Sequence, residues 1–401
     1  MTNIVVVGAG QAGAACVARL RADGFDGQIT MIGEEPTPPY QRPPLSKKYL
    51  LGQMELERLY LRPESYYPEN AIDLHLNMEI EQIDREAKCV IIGDKRIPYD
   101  HLVLTTGSVP RHLPAAIGGD LGGVFVVRGL ADVDAMAPAV AQDARVLIVG
   151  GGYIGLEAAA VCAAKGMKVT LIEMAERILQ RVASPETSDY FRALHQSHGV
   201  DIREGIGLER LTGEGHVSGA VLSDGSEVAL DMVIVGIGIA PATALAQSAG
   251  LEIDNGIKVN EFGQTSDPAI WSAGDCASFP YKGGRLRLES VQNAIDQSEN
   301  LARNIMGAEQ PYLPYPWFWS DQYEVKLQIA GLNTGYDRIV TRGGGDVVSY
   351  WYFKGDDLLA VDAMNDPRAY MVGKRLIEAG KSPAQDAIAD PETDLKALLR
   401  A

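Results

Sequence analysis

Short β-branched runs alternate with longer helical patterns along this chain, and the alternation occurs twice. Residues 4–7 form an apolar run that predicts a buried strand. Gly8-Ala9-Gly10-Gln11-Ala12-Gly13 follows, then a helical pattern to about Ala22 and a second strand over 28–32, ending at Gly33-Glu34. The unit returns with a strand over 146–149, Gly150-Gly151-Gly152-Tyr153-Ile154-Gly155, a helix to about Lys165, and a strand over 169–172 ending at Glu173. One G-x-G-x-x-G is a weak signal. Two, each between strand and helix and each followed by an acidic residue at the next strand end, predict two dinucleotide-binding folds.

A second pairing supports the duplication. Asp100 leads through an apolar run to Gly107 and Pro110, and Asp231 leads through another to Gly238 and Pro241. Each run predicts a buried parallel strand leaving its fold by a tight turn, with hinges at 107–114 and 239–246. After Pro311 the pattern changes to an aromatic, Pro-rich stretch, then to alternating strands and a short helix near 372–379. The predicted class is α/β, with two Rossmann-like domains and a C-terminal α+β domain. One dinucleotide domain comprises 1–110 and 241–321, the other 111–240, and the C-terminal domain 322–401.

Composition narrows the function without changing the fold. The 401 residues carry 36 Lys+Arg against 53 Asp+Glu, a net charge of −17. That surface is unsuited to sequence-independent nucleic-acid binding. The 46% hydrophobic content is that of a globular chain and excludes disorder. The longest apolar stretch, 146–164, is broken by three glycines and carries Glu157, so it reads as strand and helix, not as a membrane span. No Lys or Arg precedes the first apolar run, a poor match to a signal peptide, and the expected location is cytoplasmic.

The glycines have distinct physical tasks. Gly8 makes the tight turn, Gly10 admits a pyrophosphate against the backbone, and Gly13 lets helix and strand pack closely. The helix N-terminus then offers free N–H groups to the anion. Glu34 stands where a carboxylate accepts from a ribose hydroxyl. Glu173 stands in the corresponding place, where it repels a 2′-phosphate and favours NADH over NADPH. Arg177 and Arg181 lie downstream as candidates for a dinucleotide phosphate, or as surface charges.

These motifs, with Arg42-Pro43-Pro44-Leu45-Ser46-Lys47, Thr105-Thr106-Gly107, Ser272-Ala273-Gly274-Asp275 and Trp317-Phe318-Trp319-Ser320-Asp321-Gln322, resemble those of FAD-dependent pyridine-nucleotide oxidoreductases. The resemblance is specifically to the ferredoxin reductases of bacterial oxygenase systems, and it spans essentially the whole chain. It implies FAD on the first glycine motif and NADH on the second. Around FAD it places Gly8, Gly10, Ala12, Gly13, Glu34, Arg42 and Ile80. Thr106, Gly107, Arg128, Gly274, Asp275, Val291 and Trp319 belong to the same expected set. Around NADH it places Gly152, Tyr153, Ile154, Gly155, Glu173, Arg181, Gly236, Ile237 and Gly238.

By the same resemblance Lys47, paired with Glu157, is the catalytic cation beside the flavin, where preplaced positive charge stabilises developing negative charge. The alternative for that pair is an ordinary interdomain salt bridge. The implied reaction is hydride transfer from NADH to FAD and one-electron release to a 2Fe–2S ferredoxin that serves a haem monooxygenase or dioxygenase. A rubredoxin reductase shares every motif quoted. An NADH-binding signalling flavoprotein resembling apoptosis-inducing factor is a reading from another class. The expected assembly is a monomer or weak dimer, with no nucleic-acid or membrane partner.

The four cysteines (Cys16, Cys89, Cys162 and Cys276) are widely separated, and none lies in 39–46, where a disulphide or thiol relative of this fold would place one. They read as packing residues, which disfavours thiol chemistry and direct O₂ reduction. His195 and His198, three apart, read as an exposed helix face and not as metal ligands. Arg285, Arg287, Lys326, Arg368, Lys374 and Arg375 are the candidates for a local basic patch that attracts an acidic partner in spite of the net charge.

Overall fold

In the computed structural model, which describes residues 2–400, the chain divides into two compact units. The first runs up to Gln41 and includes Glu55–Val109 and Ile239–Pro314. Its centre is a parallel five-stranded sheet in the order Ile270–Ser272, His101–Leu104, Asn3–Val7, Gln28–Ile32, Ile72–His75. The β-branched run 4–7 occupies the middle because a strand buried on both faces must be apolar throughout. Helices Gln11–Ala22 and Val291–Ile305 pack together on one face. Ile4, Val6, Val17, Leu20, Met31 and Leu301 form the core beneath them.

The second unit contains 42–54, Pro110–Gly238 and the C-terminal segment from Tyr315. Its parallel sheet runs Asp201–Glu204, Lys168–Glu173, Arg145–Val149, Met232–Val235, Val124–Val126. The C-terminal segment adds a five-stranded antiparallel sheet in the order Trp317–Gln322, Val325–Gly331, Asp357–Met364, Val347–Lys354, Arg338–Gly344. Helix Pro367–Glu378 covers one face of that sheet, burying Trp351, Phe353, Val361 and Leu376.

Two boundaries differ from the sequence expectation. Trp317–Gln322 is the first strand of the C-terminal antiparallel sheet, so this architecture begins at Trp317 and not at 322. Residues 42–54, which carry Arg42 and Lys47, belong to the second unit even though the first unit's chain flanks them on both sides. Among the described residues, no helix is long and apolar enough to cross a membrane.

Candidate functional site

Each glycine motif forms a cradle whose geometry explains its residues. Gly8 has φ +113°, and a Cβ there would lie 2.2 Å from the Thr105 carbonyl oxygen. Gly13 approaches so closely that a Cβ would meet the Gly8 carbonyl oxygen at 2.1 Å. Gly10 faces open space, and helix Gln11–Ala22 begins there with no side-chain cap. An open middle glycine beneath an uncapped helix N-terminus fits a pyrophosphate. The second cradle repeats these terms: Gly150 has φ +107° with the Gly236 carbonyl oxygen 2.5 Å from a Cβ, Gly152 is open, and Gly155 would meet Gly150 at 2.1 Å.

Several other predicted residues lie in the first unit. Gly274, at φ +83°, leaves no room for a Cβ beside Ala12, which would be 2.9 Å away, and its N–H donates to Gln297 Oε1 at 2.9 Å. Asp275 accepts from the Ser108 hydroxyl at 2.8 Å. Thr106 donates to the Ala242 carbonyl at 2.6 Å, and Gly107, at φ +72°, turns the chain. Val291 opens the helix whose cap is Ser290. Ile80 packs into an apolar cluster with Val5, Leu102 and Ile270. Glu34 is exposed and has no hydrogen-bond partner among the described residues.

Arg42, Lys47, Arg128 and Trp319 fall in the second unit. Arg42 Nη1 donates to the Arg128 carbonyl at 2.8 Å. Arg128 stands at the start of a helix where Asp132 caps its N–H and that of Gly129. Trp319 is half-buried in an aromatic run, with its ring centroid 5.6 Å from that of Trp317.

The predicted Lys47–Glu157 pair is present, with Nζ to Oε1 at 2.9 Å. Glu157, 7% exposed, rides on helix Tyr153–Ala164 and also accepts from Ser320 Oγ at 2.7 Å and Ser46 Oγ at 3.0 Å. Burial pushes its carboxyl above the usual range, and Lys47 opposes that rise. A carboxylate with one cation and two hydroxyl donors holds the ammonium in a single position. The two serines escaped the sequence reading because three separate segments contribute to the group.

Around the second cradle, Glu173 Oε2 accepts from the Gly151 N–H at 2.7 Å and Oε1 from the Ala175 N–H at 2.8 Å. This fixes the carboxylate at the strand end. Arg181 is exposed, its guanidinium beside the Gly238 turn. Ile154 and Ile237 are exposed, as are Met174 and Val182, two apolar residues that sequence reasoning missed. All four lie beyond the carboxyl ends of parallel strands, where α/β sheets bind nucleotides.

The contacts of several charged residues bear on the sequence expectations. Arg177 is an internal staple, bonded to Ser188 Oγ and to the carbonyls of Ala183 and Ser184. Arg285 is tied to the carbonyls of Val259 and Ser278, and Arg287 to Glu289 and the Asp275 carbonyl, which removes both from the candidate basic patch. Lys374 is paired with Glu378. Lys326, Arg368 and Arg375 are exposed and unpaired among the described residues. His195 is buried, with Nε2 bonded to Gln322 Oε1 at 2.8 Å, which corrects the exposed-face expectation.

All four cysteines are free and buried, and burial pushes the thiols of Cys16 and Cys162 up to about 12. Such thiols are inert.

The fold thus provides two glycine cradles that fit dinucleotides, each at the carboxyl end of a parallel strand. The chain belongs to the pyridine nucleotide-disulphide oxidoreductase family, whose model matches residues 2–298, with a reductase C-terminal model over 317–399. It is 41% identical to rhodocoxin reductase of Rhodococcus erythropolis, covering 98% of this chain and 93% of that protein. It is 40% identical to putidaredoxin reductase of Pseudomonas putida over 100% of this chain and 97% of the relative. Among solved structures, the covalent putidaredoxin reductase–putidaredoxin complex superposes with a TM-score of 0.96 at 39% identity, covering 100% of this chain and 98% of that one.

Proposed function

We propose that the protein is an NADH-dependent FAD flavoprotein that passes electrons singly to a 2Fe–2S ferredoxin, and through it to a haem monooxygenase or dioxygenase. The observation that carries this reading is the combination of both cradles with the absence of any exposed cysteine among the described residues. The disulphide chemistry in the family's name has no residue to perform it here. Electron transfer to a protein acceptor is what relatives matching over nearly the full length are named for.

FAD would supply two-electron uptake and one-electron release. The first cradle, with Asp275 and the Gly274 turn, would hold it. The second cradle would hold NADH, with Glu173 accepting from the adenosine ribose hydroxyls and disfavouring a 2′-phosphate. Tyr153 and Ile154 would position the nicotinamide. Lys47, fixed by Glu157, would provide the positive charge that reduced flavin needs, and Trp319 would flank the ring. No side-chain acid or base is required, since positioning does most of the work. Arg368 and Arg375, on one helix, and Lys326 would form the basic docking surface.

The test is NADH-driven cytochrome c reduction by the purified yellow protein, with and without an added 2Fe–2S ferredoxin. Strong dependence on the ferredoxin is expected. Reduction of flavin by NADH with no ferredoxin effect would overturn the acceptor and point to a rubredoxin, as in the rubredoxin–NAD⁺ reductase of Pseudomonas putida that is 36% identical over 91% of this chain and 96% of that protein.

A further inference from the structure

The second unit contains a buried carboxylate that the proposed mechanism does not use. Asp362 is 1% exposed in the middle of the C-terminal sheet, opposite Ile329 on one neighbouring strand and Tyr350 on the other. Its Oδ2 accepts from the Thr187 hydroxyl at 2.8 Å and from the Tyr352 hydroxyl. No cation pairs with it among the described residues. An ion buried without a counter-charge is costly, so two hydroxyls alone offset its desolvation.

The contacts of those hydroxyls lead to the second cradle. Thr187 lies in the first turn of helix Pro185–Ser197, and the Tyr352 oxygen also accepts, at 3.4 Å, from the N–H of Ser184, the residue whose side-chain oxygen caps this helix. Ser184 ends the segment 177–184, which Arg177 staples through the carbonyls of Ala183 and Ser184. The same segment touches the glycine turn: Leu179 N–H donates to the Gly151 carbonyl at 2.9 Å, and a Cβ on Gly151 would lie 2.6 Å from Ile178. It also presents Arg181, whose guanidinium lies beside the Gly238 turn, and Val182 to solvent. The only link that is a charge in this chain of contacts, apart from Arg177, is Asp362.

We propose that Asp362 is a positioning residue for the nicotinamide nucleotide: through Tyr352 and Thr187 it fixes the 177–184 segment against the second glycine turn. This rests on the reading of that cradle as the NADH site. The ionised carboxylate accepts both hydroxyls at one oxygen. Once protonated, it loses the negative charge that strengthens both bonds, and its carbonyl oxygen holds the two hydroxyls more weakly.

Burial raises the Asp362 carboxyl to about 6, with the Tyr352 and Thr187 bonds opposing the rise. The change therefore falls in an accessible pH range. Other titratable groups around it are Glu186 and Asp189 on the same helix as Thr187, Tyr350 and Tyr352 on the next strand, and Tyr153 at the head of the cradle helix. Burial holds all three tyrosines above their usual range, and it lowers His195, on the Thr187 helix, to about 4.

The experiment is calorimetric titration of the flavin-loaded protein with NAD⁺ between pH 5.5 and 8, for wild type, Asp362→Asn and Tyr352→Phe. Wild-type affinity is expected to fall several-fold as the pH drops through the carboxyl's range. Asp362→Asn is expected to bind about fivefold more weakly at pH 8 and to show no such pH slope. Tyr352→Phe is expected to lose about twofold and to keep the slope. Wild-type affinity and slope in Asp362→Asn would overturn the proposal. If that variant does not fold, unchanged affinity in Tyr352→Phe does so. Absence of NAD⁺ binding by the wild type would instead overturn the NADH reading itself, and this inference with it.

Discussion

The two glycine cradles have nearly the same backbone and different surroundings. Superimposed by motif, Gly8, Gly10 and Gly13 correspond to Gly150, Gly152 and Gly155 in φ, in open space and in close approach. Five residues beyond the middle glycine, however, the first helix has Ala15 and the second has Glu157, with its lysine and two serines. At the end of the second strand, Glu34 is unanchored, whereas Glu173 is held by two backbone N–H groups. The motif encodes a turn that fits a pyrophosphate. What each copy does beyond that depends on single carboxylates grafted onto it.

The sharpest way to break the symmetry is to block one turn at a time. Gly8→Ala and Gly150→Ala each force a Cβ into a positive-φ position, worth ~1–2 kcal/mol, and into backbone 2.2 and 2.5 Å away. Gly8→Ala should yield colourless protein or none. Gly150→Ala should retain the flavin and lose NAD⁺ binding more than a hundredfold. Absorbance at 450 nm and calorimetry check the pair. Loss of flavin from Gly150→Ala would undo the division of labour.

Lys47→Met tests the carboxylate that the first helix lacks. Leaving a buried charge without its partner costs about 3–5 kcal/mol, here at the lower end because Lys47 is 18% exposed. Flavin reduction by NADH in stopped flow should slow at least tenfold with FAD still bound. A normal rate would make the pair structural. The sign with pH follows from the raised Glu157 carboxyl. A raised folded-state value penalises the ionised form, and removing the cation raises it further. The deficit in Tm should therefore be largest near pH 8 and shrink as the pH falls through the raised value.

Much of this was legible in the sequence because it is local. Both cradles and both acidic strand ends follow from glycines and motifs within short windows, whereas the Lys47–Glu157 pair, far apart in sequence, follows only from the family resemblance. The start of the C-terminal sheet was not legible. Its first hairpin turns through Tyr323-Glu324, with Tyr323 at φ +54°, and offers none of the Asn-Gly or Asp-Gly signal that marks such turns. Nor were the fates of Arg177, Arg285 and His195 legible. Their partners are backbone carbonyls and a glutamine brought near by folding, and a charged residue in sequence carries no mark of whether its acceptors are water or main chain.

The smallest effect separates the two acidic strand ends. Glu173→Gln leaves one carbonyl oxygen where two carboxylate oxygens accept backbone N–H groups, a loss of about 1 kcal/mol at a half-buried site. Glu34→Gln loses no such contact. Thermal melting should therefore register Glu173→Gln and not Glu34→Gln, even without nucleotide. With nucleotide, Glu173→Arg should shift the ratio of kcat/KM from NADH towards NADPH by an order of magnitude, since it exchanges a repulsive carboxylate for a cation where a 2′-phosphate would sit. Arg177 cannot assist in that change, because its guanidinium is occupied by main-chain carbonyls, so any gained phosphate affinity has to come from the new arginine or from Arg181. An unchanged nucleotide preference would mean that Glu173 serves only to anchor Gly151, and that the two cradles differ less than their carboxylates suggest.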